Sequence, residues 1–186
     1  METQAQTVTA IGDGKNDMFL VSLAEDGGQA YPGSVRYLEA ARDAGLRIAV
    51  VTSSKNGAAV LDAADLSKFV EVRVDGLDIV SKGLKGKPAP DSFLLGAELM
   101  GVEPAAAVVF EDAISGIAAG SAGGPLALVG GRAVELVTVG GVAVVDQEAV
   151  VVVLQVDVGV GERVGAAVEE VVLRSHVPLS VASFNR

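Results

Sequence analysis

The stretch that decides the fold is Val108-Val109-Phe110-Glu111-Asp112-Ala113-Ile114-Ser115-Gly116-Ile117-Ala118-Ala119-Gly120. Residues 107–110 are wholly apolar, as a strand buried on both faces of a parallel sheet requires. Residues 113–122 then read as a short helix rich in glycine and alanine. The switch leaves Glu111 and Asp112 at the carboxyl end of a buried strand. In open α/β sheets that is where ligands bind.

The same rhythm extends upstream to Tyr31. Pro32 and Ser34 open a helix with Val35, Leu38, Ala41 and Leu46 on one face, and Gly45 ends it. Ile48-Ala49-Val50-Val51 is a second buried strand, followed by the polar loop Thr52-Ser53-Ser54-Lys55-Asn56-Gly57 and a helix over 58–64. Val70, Val72 and Val74 alternate with charges, as in a half-exposed strand. Asp75 and Asp78 read as solvated turn residues. Lys85-Gly86-Lys87-Pro88-Ala89-Pro90 is a rigid loop. It leads into a helix with Phe93, Leu94, Ala97 and either Leu99 or Met100 facing inward. Residues 126–129 supply a third strand. The alternation predicts a doubly wound α/β sheet.

Charge and composition narrow the function. Fourteen basic against 24 acidic residues give a net charge of -10, which argues against nucleic acid, whose phosphates need a basic face. A small phosphorylated substrate remains compatible, because one lysine or a bound cation reverses the field inside a cleft. There is no cysteine, hence no disulfide or thiolate chemistry. The N-terminus lacks a basic start followed by an apolar run. No stretch reaches the roughly 18–20 uninterrupted apolar residues of a membrane helix. A cytoplasmic, non-membrane protein is expected.

Three elements carry chemistry, each with a plainer alternative. Thr52 and its neighbouring serines, after a buried strand, form an anion cradle of hydroxyls and amides or simply cap a helix. Lys87, between glycine and proline, is a fixed point charge for a phosphoryl group or a solvated turn lysine. Glu111 and Asp112 offer oxygen ligands to Mg²⁺ or favour a helix N-terminus.

Taken together, VVTSSKN, GKPAPDSF and VVFEDAISGIAAG resemble the second, third and fourth motifs of β-phosphoglucomutase-like members of the haloacid dehalogenase superfamily. YPGSVRYLEAARDAGL resembles the helix leading into the second. The resemblance covers about half the chain and implies a Rossmann-like core with a parallel sheet. It implies that Thr52 binds the transferring phosphoryl group and that Lys87 bridges it to a nucleophile. Ser54, Lys55 and Asn56 would contact the substrate, and Glu111 and Asp112 would hold Mg²⁺. The substrate would be a small sugar phosphate, turned over by a phosphomutase or phosphatase through an aspartyl-phosphate.

The departure lies at the N-terminus. The family's nucleophile sits in an Asp-x-Asp motif on a first strand, followed by a helical cap. Only 51 residues precede Thr52 and none forms that motif. Ile11-Gly12-Asp13-Gly14-Lys15-Asn16-Asp17 follows a poor strand and is rejected as nucleophile. It reads instead as a cap remnant, with Lys15 either touching substrate or solvated in a loop. The expected division is a cap remnant and hinge over 1–30, a partial core over 31–130, and a Val/Gly-rich tail over 131–186. The first strand and most of the cap are expected to be missing.

From 125 to 186 there are 20 valines in 62 positions without strict alternation. That stretch is either a small β-rich extension or the product of a frame shift near Gly124 or Pro125, and it is expected to pack less regularly than 31–124. The expectation for the chain alone is an inactive fragment. The alternatives are a non-catalytic phosphate- or Mg²⁺-binding remnant, and an interaction module whose residues 150–153 pair with a partner strand.

Overall fold

The computed structural model describes residues 2–111, 113–124, 127–130, 137–139, 142–143 and 151–155, with side chains over 10–111 and 113–124. The elements run α1 (Glu2–Asp26), β1 (Gly28–Ala30), α2 (Pro32–Asp43), β2 (Arg47–Val51), α3 (Gly57–Ala63) and β3 (Val72–Val74). They continue with α4 (Gly76–Ser81), α5 (Asp91–Met100), β4 (Ala107–Glu111), α6 (Ile114–Gly123) and β5 (Ala127–Gly130). Three further strands follow: β6 (Val137–Val139), β7 (Val142–Ala143) and β8 (Val151–Gln155). The protein is α/β.

Five strands form one sheet in the order β3-β2-β8-β4-β5. β2 pairs parallel with β3, and β4 parallel with β5. Between them β8 runs antiparallel to both β2 and β4. Residues 151–153, read from sequence as able to pair with a partner strand, therefore pair within the chain. Val153 lies opposite Ala49 on one side and Val109 on the other. That register sets β2 and β4 parallel and level, so their carboxyl ends share one edge. A smaller sheet joins β1, β6 and β7.

The side chains of β2 and β4 alternate between two cores, as the period-2 geometry of a strand demands. Ile48, Val50, Val108 and Phe110 pack with Leu38 and Ala41 of α2 and Val60 and Leu61 of α3. Ala49, Val51, Ala107 and Val109 pack with Phe93 and Met100 of α5 and Ala119 of α6. Both faces are buried, which is why these strands read as uninterrupted apolar runs. On α5 the buried residues are Ser92, Phe93, Gly96, Ala97 and Met100. Leu94 is 38% and Leu99 50% exposed, so Met100 takes the inward position and Leu94 does not. The reason is close approach: a Cβ at Gly96 would stand 3.0 Å from Val51, and this fixes which stripe of the helix faces the sheet.

The N-terminal segment, read from sequence as a cap remnant and hinge with no element assigned to residues 11–17, forms one long helix. Residues 11–17 lie inside α1. No proline interrupts residues 2–26, and the helix is anchored near its end by Phe19 and Leu23 against the core. Gly12 and Gly14 weaken it without ending it. No helix among the described residues is long and apolar enough to cross a membrane.

Candidate functional site

β2 delivers Thr52 to the carboxyl edge of the sheet. The Thr52 amide donates to the Val74 carbonyl at 2.9 Å, which continues the β2–β3 pairing one residue past the strand. The residue is 2% exposed, and its Oγ1 accepts from the Ser54 amide at 3.1 Å. Ser54 Oγ in turn accepts from the Asn56 amide at 3.1 Å. These two hydroxyl turns fold the chain back on itself. They use only lone pairs, so the hydroxyl hydrogens of Thr52 and Ser54 stay available. The amides of Ser53 and Lys55 donate to no acceptor among the described residues. Loop 52–56 is thus a concentration of donors suited to an anion.

The start of α4 braces this loop from behind. The Gly76 amide donates to the Ser54 carbonyl at 2.9 Å, and a Cβ at Gly76 would lie 2.4 Å from the Ser53 carbonyl oxygen. Asp75, read from sequence as a solvated turn residue, is in fact 2% exposed. Its Oδ1 accepts from the amides of Leu77 and Asp78 at 2.8 and 3.3 Å. Asp78 Oδ2 returns the bond to the Asp75 amide at 3.0 Å. Arg73 Nε donates to Asp75 Oδ2 at 3.0 Å. This is a capping box; the pattern Asp-x-x-Asp straight after a strand is the signal that identifies it. Asp78 is half-buried. With both oxygens of Asp75 engaged, that carboxylate is a brace and not a nucleophile.

β4 delivers Glu111 to the same edge. Lys87 reaches it from the loop before α5, and Lys87 Nζ donates to Glu111 Oε2 at 2.7 Å. Glu111 Oε1 accepts from the Ala113 amide at 3.1 Å. The Lys87 side chain is 3% exposed and that of Glu111 0%. The Lys87 ammonium also lies 4.9 Å from the centre of the Phe93 ring, over its face, a favourable cation–π position. The peptide Lys87-Pro88 is cis. Lys87 is therefore a fixed buried cation, not a solvated turn lysine. Its ammonium has three donors, of which one is taken by Glu111 among the described residues.

The two groups are one strand apart. With β8 between β2 and β4, their backbones are separated by two strand spacings, about 10 Å. The remaining residues singled out in the sequence fall around the loop. Lys55 is exposed. Asn56 Nδ2 donates to Asn16 Oδ1 of α1 at 2.8 Å, so the N-terminal helix is tied to the loop and brings exposed Lys15 to its neighbourhood. Asn16, Asp75, Phe93 and Gly116 belong to the site although the sequence reading assigned them no role in it. Asp112 lies outside the described residues. Among the described residues no group of three acidic, histidine or cysteine side chains comes together to hold a metal. Glu111 alone, with bonds on both oxygens, does not make the six-oxygen set of Mg²⁺.

The chain matches the model of the haloacid dehalogenase-like hydrolases over residues 2–124. It is 54% identical over 126 residues to a β-phosphoglucomutase of Mycobacterium tuberculosis, covering 68% of this chain and 48% of that protein. It is 35% identical over 100 residues to hexitol phosphatase A of Escherichia coli, covering 53% and 44%. CbbY of Rhodobacter sphaeroides, solved in complex with xylulose-(1,5)bisphosphate, superposes with a TM-score of 0.57 at 26% identity, covering 66% of this chain and 55% of that one. The chain spans about half the length of the curated relatives it matches.

Proposed function

Because the chain belongs to the haloacid dehalogenase-like hydrolase family, we propose that the edge formed by β2 and β4 is the phosphoryl-binding part of a sugar-phosphate phosphomutase or phosphatase. The observation that carries this reading is the arrival of Thr52 and the Lys87–Glu111 pair at one sheet edge, from loops 35 residues apart in sequence.

The roles follow from the donors available. The Thr52 hydroxyl and the amides of Ser53 and Lys55 hydrogen-bond phosphoryl oxygens. Lys87 supplies the positive charge that a developing phosphoryl dianion needs. Glu111 holds that charge in place, and Phe93 limits its swing. Ser54, Lys55 and Asn56, with Lys15 from α1, meet the far end of the substrate, a sugar or sugar-alcohol phosphate. Mg²⁺ is proposed for Asp112 with Glu111 by resemblance. When bound it would neutralise phosphoryl charge. The 186 residues contain no Asp-x-Asp, and Asp75 is engaged as a brace, so this chain alone is proposed to bind phosphate without turning it over.

Phosphorus NMR with inorganic phosphate and a hexose phosphate tests the reading. Saturable binding is expected, weakened at least tenfold in Lys87→Met with Glu111→Leu, a pair of changes that leaves no unpaired buried charge. Absence of saturable binding to the unaltered chain would sink the site. Hydrolysis of p-nitrophenyl phosphate that survives purification and is lost in Asp112→Ala would overturn the proposal of binding without turnover.

A further inference from the structure

We propose that Gly116 is the positioning residue of this site: its missing side chain is the space in which the Glu111 carboxylate lies, and through Glu111 it fixes Lys87. A Cβ built on Gly116 would stand 2.1 Å from Glu111 Cδ, 2.1 Å from Oε2 and 2.5 Å from Cγ. All three are inside contact distance. Oε2 is the oxygen that receives Lys87.

Backbone conformation does not call for a glycine here. Gly116 is in the first turn of α6 and is not among the residues with positive φ. In a helix, glycine is less favourable than alanine. Ordinary helix propensity therefore predicts that Gly116→Ala stabilises the protein, and the geometry predicts the reverse.

A carboxylate at the end of a flexible side chain usually yields to a new methyl group. Glu111 has nowhere to go. It is 0% exposed, its Oε1 is held by the Ala113 amide, and its Oε2 by Lys87. Moving it by the ångström or so that a Cβ demands breaks one bond or both. Lys87 then loses its counter-charge while its side chain is only 3% exposed, and it must swing outward to find water. The first turn of α6 therefore decides where a lysine on a loop 29 residues earlier points.

The functional weight of this inference rests on Lys87 binding phosphoryl groups; its test does not. The folded chain is treated with a limiting amount of acetic anhydride and the labelling of each lysine is read by peptide mass spectrometry. In the unaltered protein Lys87 is expected to label at least tenfold more slowly than the exposed Lys55 and Lys68. Gly116→Ala is expected to remove most of that protection while Lys55 and Lys68 keep their rates. Adding Glu111→Asp shortens the carboxylate by one methylene, makes room for the new methyl and is expected to restore protection. Inorganic phosphate affinity should fall and recover in parallel. Unchanged Lys87 protection in a folded Gly116→Ala variant overturns the proposal. So does equal unfolding of the single and double variants, since the space would then serve something other than the carboxylate. Loss of phosphate binding by the unaltered chain, with the labelling pattern as expected, would remove the phosphoryl reading and leave the role of Gly116 standing.

Discussion

The loop after β2 is folded by short-range bonds from hydroxyls and backbone, between residues two apart, and braced by neutral bonds to Gly76 and Asn16, whereas the end of β4 is held by a buried ion pair between residues 24 apart. The two lie side by side on one sheet edge. Apart from the exposed Lys55, the loop presents weak, neutral donors, from buried Thr52 to half-exposed Ser53, Ser54 and Asn56. The β4 side presents one full charge, desolvated and fixed from below by Glu111 and from the side by Phe93. A loop of neutral donors tolerates local change, because water replaces any bond it loses. A buried pair does not, because removing one partner strands the other without solvent. Adaptable recognition and rigid charge placement thus sit side by side within a single site.

The largest expected effect breaks the β4 side. Glu111→Ala should cost about 3–5 kcal/mol of stability, the usual consequence of leaving a buried charge unpaired. Lys87→Met with Glu111→Leu should recover most of it and still fail to bind phosphate. Urea denaturation measures both, and a loss below about 1 kcal/mol for the single change would mean that the pair is not desolvated as described.

The loop side is attacked through its brace. Gly76→Ala forces a methyl onto the Ser53 carbonyl and is expected to cost about 1–3 kcal/mol, as overpacking does. It should weaken phosphate binding without exposing Lys87 to acylation. Exposure of Lys87 in that variant would show that the two sides are one mechanical unit.

A smaller effect is expected from Asp78→Ala, which removes half of the capping box of α4. A loss of about 1 kcal/mol in thermal unfolding is expected, with phosphate affinity nearly unchanged. A tenfold weaker affinity would give α4 a more direct part in shaping the loop.

An effect no larger, and of opposite sign, lies beneath the β4 side. Tyr37 packs edge-on against Phe110 with ring centres 5.1 Å apart. Its buried hydroxyl has no partner among the described residues, and burial pushes the phenol well above its ordinary value. The unfolded chain therefore loses this proton first, near the ordinary tyrosine value of about 10. Stability is full below that pH and declines as pH rises beyond it. Tyr37→Phe should gain about 1 kcal/mol by removing an unsatisfied hydroxyl and should flatten the decline. A loss of stability on that change would reveal a hydrogen bond to the phenol.

The sequence determined by itself which residues reach the edge. Runs as short as Ile48-Ala49-Val50-Val51 and Ala107-Val108-Val109-Phe110 have no polar face, so they are strands buried on both sides, and whatever follows them emerges where ligands bind. Turn and helix-start residues at Pro32 and Pro90 fixed the helices between them. That local chemistry was enough to single out Thr52, Lys87 and Glu111. It was also enough for the resemblance that the family match bears out. Segments without such periodicity were read less well: residues 11–17 were read only as a cap remnant, without a helix, because their glycines and polar residues give no apolar stripe.

Only the tertiary structure decided what those residues do to one another. That β8 enters between β2 and β4, that Asp75 is a buried brace, and that Glu111 lies in the space of an absent side chain at Gly116 are relations between segments far apart in sequence. They depend on which groups lose water together, and burial is a property of the assembled fold. A carboxylate reads the same in the sequence whether it faces solvent or a lysine. Its partner, and hence its role, is chosen only when packing removes the water between them.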